Sequence, residues 1–363
     1  MNPPPLRVLR VIYDLQTGGV QRMMLRMVPL LRDAGVAVEV ACLKEEGDMA
    51  SAFRDAGATV HMVPFRSRLD PVGLWRLRKL VQAGRFDIVH SHMHAANCAV
   101  NGAFVACKGG LRIVNGYHSQ TPFSGPGQER SARLLSRAAD ALVAVSESVR
   151  EPLLAAGLPA GKIALIHNGV EVPSEAAPPR DRPGGEAEPL RLLWAGRFVT
   201  AKRADLALRI VSAAQRAGVP VRLDLAGDGP KMGKMQRLVA ELAIEDAVTF
   251  HGWQTDIRPL IRAADFYLSS SEREGFPNTL LEVCAQGRGS LVCDIPPNRE
   301  VFGGEGNGGY VLPDDVEAWV PVLRGLQAAP EKIAEAGRAA FARARLFSVE
   351  ESVRKTVELY GRG

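Results

Sequence analysis

Two glutamates in the second half of the chain have the type and spacing to grip a sugar. They lie in Ser271-Glu-Arg-Glu274-Gly275-Phe276-Pro277-Asn278-Thr279-Leu-Leu-Glu282, directly after an apolar run at 266–268. Pro277 suits the first turn of a helix, where its missing N–H costs nothing. Glu274 then falls in a loop, and Glu282 about one and a half turns inside the helix. Both can face one crevice, with free backbone N–H groups between them. A carboxylate can accept hydrogen bonds from two adjacent hydroxyls, as a ribose or hexose presents, while a helix start receives phosphate. A second grouping, Gly196-Arg197 with Lys202, sits in a turn after another apolar run and before a helical segment. Glycine lets the backbone approach an anion, Arg197 can hold phosphate oxygens bidentately, and Lys202 adds a point charge. Together the two cations could neutralise a diphosphate.

These residues need elements to position them. Short β-branched runs at 7–13, 37–43, 59–63, 88–92, 111–114, 141–145 and 163–166 alternate with helical patterns at 21–34, 49–55, 71–81 and 129–138. A proline-rich, charged stretch at 173–189 has nothing to bury and reads as a linker. The rhythm then resumes, with runs at 190–194, 222–226, 248–250, 266–268 and 290–293, and helices at 204–216, 231–242, 257–263, 278–285 and 330–344. Apolar strands alternating with helices imply parallel sheets covered on both faces. The expected fold is therefore α/β: two Rossmann-like domains facing across a cleft, with ligands outside the carboxyl ends of the strands. The expected division is 1–172, a linker at 173–189, 190–346, and a terminal helix over 347–363, with Ser348 as cap and Glu351 three residues on.

A chain of 363 residues suits two domains. With 46% hydrophobic and 23% charged residues it has the balance of a globular protein. Five scattered cysteines, without a C-x-x-C pair, fit a reducing cytosol better than a disulfide framework or structural zinc. No apolar run reaches the roughly 20 residues that span a bilayer, and the first residues carry arginines where a secretory signal would be apolar. Residues 1–172 carry a net charge of +6 and the remainder −1, so one half is suited to an anionic partner. No basic–aromatic nucleic-acid signature accompanies it, and no nucleic acid is expected. Arg130, Arg133 and Arg137 fall on one helix face and, with Arg76, Arg78 and Lys79, could meet anionic lipid or a pyrophosphate-linked acceptor at a membrane surface; a solvated face is the alternative. The spacing His90-x-His92-x-His94 would put three imidazoles on one side of an extended segment. No acidic or cysteine ligand accompanies them at metal-binding spacing.

In combination these motifs resemble the retaining glycosyltransferases of family 4, which have the GT-B fold. Glu274 to Glu282 is similar to that family's E-x7-E motif, and Gly196, Arg197 and Lys202 to its G-R-x4-K motif. Leu225-Ala-Gly227-Asp-Gly-Pro230, Phe250-His-Gly252, Ala264-Asp265 and His167-Asn-Gly-Val170 are further likenesses. The resemblance implies transfer of a sugar from a nucleotide-sugar to a glycan, lipid-linked or small-molecule acceptor with retention of configuration, in surface polysaccharide or glycoconjugate assembly. It implies that Arg197 and Lys202 hold the diphosphate, Glu282 the ribose, and Glu274 with the Gly275–Pro277 backbone and the helix start at Asn278 and Thr279 the donor sugar. Gly227 belongs to the same donor site. Two departures stand out. Asp294-Ile-Pro-Pro-Asn-Arg-Glu300 replaces the usual small-residue, glycine-pair stretch, and Gln286-Gly-Arg-Gly289 replaces a glycine–proline pattern.

In the first half the resemblance picks out Gly18-Gly19, which open a helix and permit close approach or positive φ, as the glycine loop near the donor phosphate. It picks out His118, in Tyr117-His118-Ser119, as the strand-end histidine lining the sugar pocket. A neutral imidazole there could accept a hydrogen bond from a sugar hydroxyl. His118, Glu274, Arg197 and Lys202 are thus expected to act at the reacting centre. The implied chemistry is a front-face reaction in which the leaving diphosphate takes the acceptor's proton, so that the protein positions and stabilises charge. No metal or other cofactor is implied. The expected location is cytoplasmic, at or near the inner membrane face. Two rivals remain: a nucleotide-sugar epimerase on the same fold, and a non-catalytic binding subunit, against which the intact Arg197, Lys202, Glu274 and Glu282 argue.

Overall fold

The computed structural model describes residues 4–67, 70–123, 125–182 and 188–361. It divides into two compact units, Met1–Gly169 with Val349–Gly363, and Val170–Ser348.

In the first unit the strands are β1 (Leu6–Asp14), β2 (Val36–Glu45), β3 (Thr59–Met62), β4 (Ile88–His92), β5 (Arg112–Tyr117), β6 (Ala141–Ala144) and β7 (Ile163–Leu165). Between them run α1 (Gly19–Asp33), α2 (Ala50–Asp55), α3 (Pro71–Gly84), α4 (Met93–Phe104), α5 (Pro126–Leu135) and α6 (Glu147–Ala155). The sheet is parallel, in the order β3-β2-β1-β4-β5-β6-β7. Alternate residues of β1, Val8 and Ile12, meet Met23, Met24, Met27 and Leu31 of α1 in one core with Val40, Ile88 and Val114. The last helix closes the same core with Val349, Val353, Leu359 and Tyr360. Burying each such aliphatic side chain contributes roughly 1.5–3 kcal/mol, enough to hold this helix on the unit.

The second unit has β8 (Leu190–Ala195), β9 (Val221–Ala226), β10 (Val248–Gly252), β11 (Phe266–Ser269), β12 (Gly289–Cys293) and β13 (Gly309–Leu312). Its helices are α7 (Ala204–Arg216), α8 (Met232–Glu241), α9 (Arg258–Ala263), α10 (Asn278–Ala285), α11 (Pro296–Phe302), α12 (Val316–Ala328) and α13 (Pro330–Ala344); α14 (Val349–Gly361) is the closing helix of the first unit. The strand order is β10-β9-β8-β11-β12-β13, again parallel. Trp194, Trp319, Phe198 and Phe266 are the bulkiest members of its core. In each sheet the chain reverses its winding at one place, between β1 and β4 and between β8 and β11. Loops leaving the carboxyl ends of those strands diverge there, and the opening between them is where such sheets bind ligands.

The proline-rich segment at 173–189, expected to bury nothing, is tied to the second unit; residues 183–187 of it lie outside the described residues. Arg180 Nε and Nη2 donate to Asp265 at 3.0 and 2.8 Å, and Arg182 Nη1 donates to the same carboxylate at 3.0 Å. The backbone N–H of Arg191, in β8, donates to it as well, at 2.9 Å. Arg288, buried ahead of β12, donates to the carbonyls of Ala177 and Pro178 at 3.2 and 2.7 Å, and to those of Arg262 and Ala264 at 2.9 and 3.0 Å. The Gln286–Gly289 departure is therefore structural: Arg288 caps the end of α9 and fastens the incoming chain.

Candidate active site

The residues expected at the donor end do assemble at the reversal of the second sheet. Gly196 and Arg197 leave β8, and Lys202 ends a 3-10 turn, Thr200–Lys202, just before α7. The loop leaving β11 is stitched to that turn. Trp194 Nε1 donates to Ser270 Oγ at 3.0 Å, Ser270 Oγ donates to the Lys202 carbonyl at 2.9 Å, and Glu272 N donates to the Ala201 carbonyl at 3.0 Å. This brings Lys202 Nζ into an ion pair with Glu274 Oε1, across 72 residues of sequence. Both side chains are largely covered, 29% and 14% exposed.

Glu282 is the fifth residue of α10. Tyr267 of β11 feels the charge of both glutamates. Burial pushes its phenol well above the ordinary value, and the carboxylates of Glu274 and Glu282 push it the same way. Its hydroxyl donates to the Ala195 carbonyl at 3.2 Å, one residue before Gly196. Tyr267 is thus bonded to the end of β8. Gly227 completes the floor. Its φ is +134°, its N–H donates to the Gly252 carbonyl at 2.7 Å, and a Cβ there would overlap the Gly196 carbonyl. No side chain fits, so the ends of β8, β9 and β10 come together as bare backbone. Gly275 lies in the loop, and Phe276 is buried against Phe347 at 5.4 Å between ring centroids. Pro277 differs from expectation by one position: it precedes α10 as its cap residue, with φ −83° and ψ 82°, and Asn278 and Thr279 open the helix. Arg197 is exposed, and no side-chain partner for it occurs among the described residues, which leaves it open to an incoming anion.

In the first unit, Gly18 and Gly19 follow β1 as expected and start α1. Neither takes positive φ; Gly18 is extended at φ −160°. What it supplies is room, since a Cβ there would press on the Gln21 amide. His118 follows β5, beside the reversal at β1 and β4. The histidine series breaks up: β4 ends at His92, Met93 turns the chain at φ +71°, and His94 lies on α4 instead of sharing the strand face. Among the described residues no three His, Cys, Asp or Glu side chains are grouped to hold a metal. Arg130 and Arg133 are exposed on α5, but the helix stops at Leu135 and Arg137 lies on a 3-10 turn, Ser136–Ala138, so the three are not on one α-helical face.

Two family models match, Glycosyltransferase Family 4 over residues 17–172 and Glycosyl transferases group 1 over residues 189–328. The chain belongs to the group 1 glycosyltransferases. It is similar to D-inositol 3-phosphate glycosyltransferase of Streptomyces griseus subsp. griseus, 27% identical over 319 residues that cover 76% of this chain and 67% of the relative. It is 31% identical over 155 residues, 41% of each chain, to lipopolysaccharide 1,6-galactosyltransferase of Salmonella typhimurium. The crystal structure of Anabaena HepE in complex with UDP matches with a TM-score of 0.83 at 18% identity, over 97% of this chain and 99% of that one. The likeness is one of fold, the GT-B arrangement of two Rossmann-like domains.

The surroundings of the β8 turn and of His118 carry no mark in the sequence. A hollow of about 140 Å³ adjoins the turn, lined among others by Thr200, Arg203, Lys231, Lys234 and Glu272. In the first unit Arg10, His90 and His92 are buried together beneath α1 and α14, at 1%, 4% and 2% exposure. Burial holds His90, His92 and His118 below their ordinary range, with Arg10 adding to it; His118 is brought to about 4. They are therefore neutral in the folded glycosyltransferase, whereas in the unfolded chain they take up protons near pH 6.5. Their contribution to stability is complete above that pH and is lost as pH falls. Urea denaturation should show stability dropping between pH 7 and pH 5 by about 1.4 kcal/mol per pH unit for each extra proton bound on unfolding. Unchanged stability across that window would contradict it.

Proposed function

We propose that this glycosyltransferase moves a sugar from a nucleoside-diphosphate sugar to a glycan, lipid-linked or small-molecule acceptor, with retention of configuration and no metal. The convergence of Lys202, Glu274, Gly196 and Gly227 where the strands of the second sheet reverse carries the reading, with Glu282 on the helix that follows Glu274. Arg197 and Lys202 take the diphosphate, Glu282 the ribose hydroxyls, and Glu274, with the backbone from Gly275 to Thr279, the sugar. His118 takes a sugar hydroxyl, and the first unit takes the acceptor. HepE has been seen with UDP and with UDP-glucose, which supports a nucleotide-sugar as donor.

The reading is tested by a thermal-shift screen of UDP-, GDP-, ADP- and TDP-sugars, followed by detection of nucleoside diphosphate release. A ligand at 100 times its Kd adds about 2.7 kcal/mol of stability, so one base family should raise the midpoint clearly and support turnover. Binding without turnover across acceptors would favour a binding subunit. No shift with any nucleotide would overturn the assignment.

A cytoplasmic site of action at an anionic membrane surface belongs to the same proposal. No described helix is long and apolar enough to cross a membrane. On α3, however, Val72 and Trp75 are 52% and 55% exposed on one face, and Lys79 lies 4.2 Å from the Trp75 ring centroid. An exposed indole flanked by cations suits a lipid interface. Flotation should show about tenfold stronger binding to vesicles containing phosphatidylglycerol than to phosphatidylcholine alone, since each cation near such a surface contributes about 1 kcal/mol. Equal and negligible binding to both would dismiss the membrane contact.

A further inference from the structure

His118 does not stand alone. Its Nε2 lies 3.1 Å from His92 Nδ1, and the two rings are 5.3 Å apart at a 40° tilt. Strand register puts His92 opposite Gly116, and the glycine is what admits this contact. A Cβ at position 116 would stand 3.0 Å from His92 Nδ1 and 3.1 Å from His118 Nε2. His92 is itself held from behind. His90 stacks on it at 4.3 Å between centroids and 26° between planes, and His90 Nδ1 lies 2.8 Å from the hydroxyl of Tyr360 on α14. Arg10, buried beneath, also bonds Tyr360. The backbone at Met93, immediately after His92, is left-handed in a long side chain 45% exposed. Such strain persists only where the surroundings over-determine it.

A neutral imidazole carries one N–H and one bare nitrogen. At the His92–His118 contact one ring must donate and the other accept, so the tautomers of His92 and His118 are coupled. The remaining nitrogen of His118, Nδ1, is buried without a hydrogen-bond partner. Its character as donor or acceptor is set from the other side of the ring. Partners of this kind fix ring orientation and tautomer where a histidine ligates a metal, and their loss there costs about 10–100-fold; the same geometry operates on a histidine that meets a sugar.

We propose that His92 is a positioning residue for His118, fixing its tautomer and ring plane, and that Tyr360 of α14 holds His92 in place through His90. The proposal rests on the assignment of His118 to a sugar hydroxyl. Its test uses the full chain and compares His92→Asn, whose amide keeps a polar atom near the Nδ1 position, with His92→Leu and Tyr360→Phe. The imidazole ¹⁵N shifts of His118 report the tautomer directly. Steady-state kinetics use the donor identified by the nucleotide screen, and thermal midpoints confirm that each variant folds. We expect His92→Leu to turn the single tautomer of His118 into a mixture and to lower kcat about 10–100-fold, with donor KM changed less than about threefold. His92→Asn should restore one tautomer and most of kcat, and Tyr360→Phe should fall between. The proposal is overturned if a folded His92→Leu protein keeps the parental ¹⁵N pattern, or if Asn and Leu impair kcat equally, which is what loss of packing alone would do. A changed tautomer with unchanged turnover would instead overturn the sugar assignment of His118, leaving the coupling between the rings in place.

Discussion

Lys202→Ala is expected to lower kcat/KM by on the order of 10²–10³-fold, the usual consequence of removing one preorganised charge from a site where negative charge develops. Lys202 is fixed before any ligand arrives. Its carbonyl is anchored by Ser270, its neighbour Ala201 by Glu272, and its ammonium by Glu274. On the proposed assignment no reorganisation is needed when the bond to a leaving diphosphate breaks, and that is the condition under which a cation lowers the barrier most. Lys202→Arg should recover part of the loss, because the charge returns but the planar guanidinium does not reproduce a compact ammonium. The check is initial-rate kinetics with the donor found by the nucleotide screen. A loss smaller than about threefold would show that Lys202 lies off the reaction path.

The second large effect concerns stability. Asp265→Ala should destabilise the protein by about 3–5 kcal/mol, because it strips the carboxylate from Arg180 and Arg182, leaving buried charge uncompensated. The two arginines are only 11% and 6% exposed, and Asp265 is 1% exposed. Arg180 also pairs with Glu188, and Arg182 Nη2 reaches the Gln327 side chain at 3.1 Å. One substitution therefore loosens the incoming segment, the start of β8 and α12 together. A stability change of this size lowers the thermal midpoint by roughly 10 °C in a unit of this length. A drop of less than about 2 °C would mean that Glu188 and solvent suffice.

Much of this architecture can be read in the chain itself. The β8 and β11 strands are near-continuous apolar runs because their sheet is covered on both faces, and α7, α10 and α13 fall where their patterns put them. The elements that escape have physical reasons. In α4, Met93–Phe104, most residues are buried, so no polar stripe marks a helical period. Pro152 and Pro321 lie inside α6 and α12, and Pro296 and Pro297 disguise α11 as a loop. The four-residue β13, Gly309–Leu312, follows a glycine-rich stretch. The candidate site shows the same split. Gly196, Lys202, Glu274 and Glu282 can be found from spacing combined with family resemblance. The ion pair between Lys202 and Glu274, the knot at Asp265 and the contact between His92 and His118 depend on tertiary pairings that local sequence does not encode. Nothing in the sequence marks the left-handed turn at Met93, which takes His94 off the strand face and onto α4.

The central claim is that the cations of the β8 turn and the carboxylates beyond β11 grip one nucleoside-diphosphate sugar. Its most direct test is calorimetric titration of the parent and Lys202→Ala proteins with a nucleoside diphosphate and with its unphosphorylated nucleoside, using the base chosen by the screen. A charge-assisted hydrogen bond is worth about 1.5–3 kcal/mol, so diphosphate affinity should fall about 10–100-fold in the variant while nucleoside affinity stays within about twofold. An equal fall for both ligands, or none for either, would contradict the account.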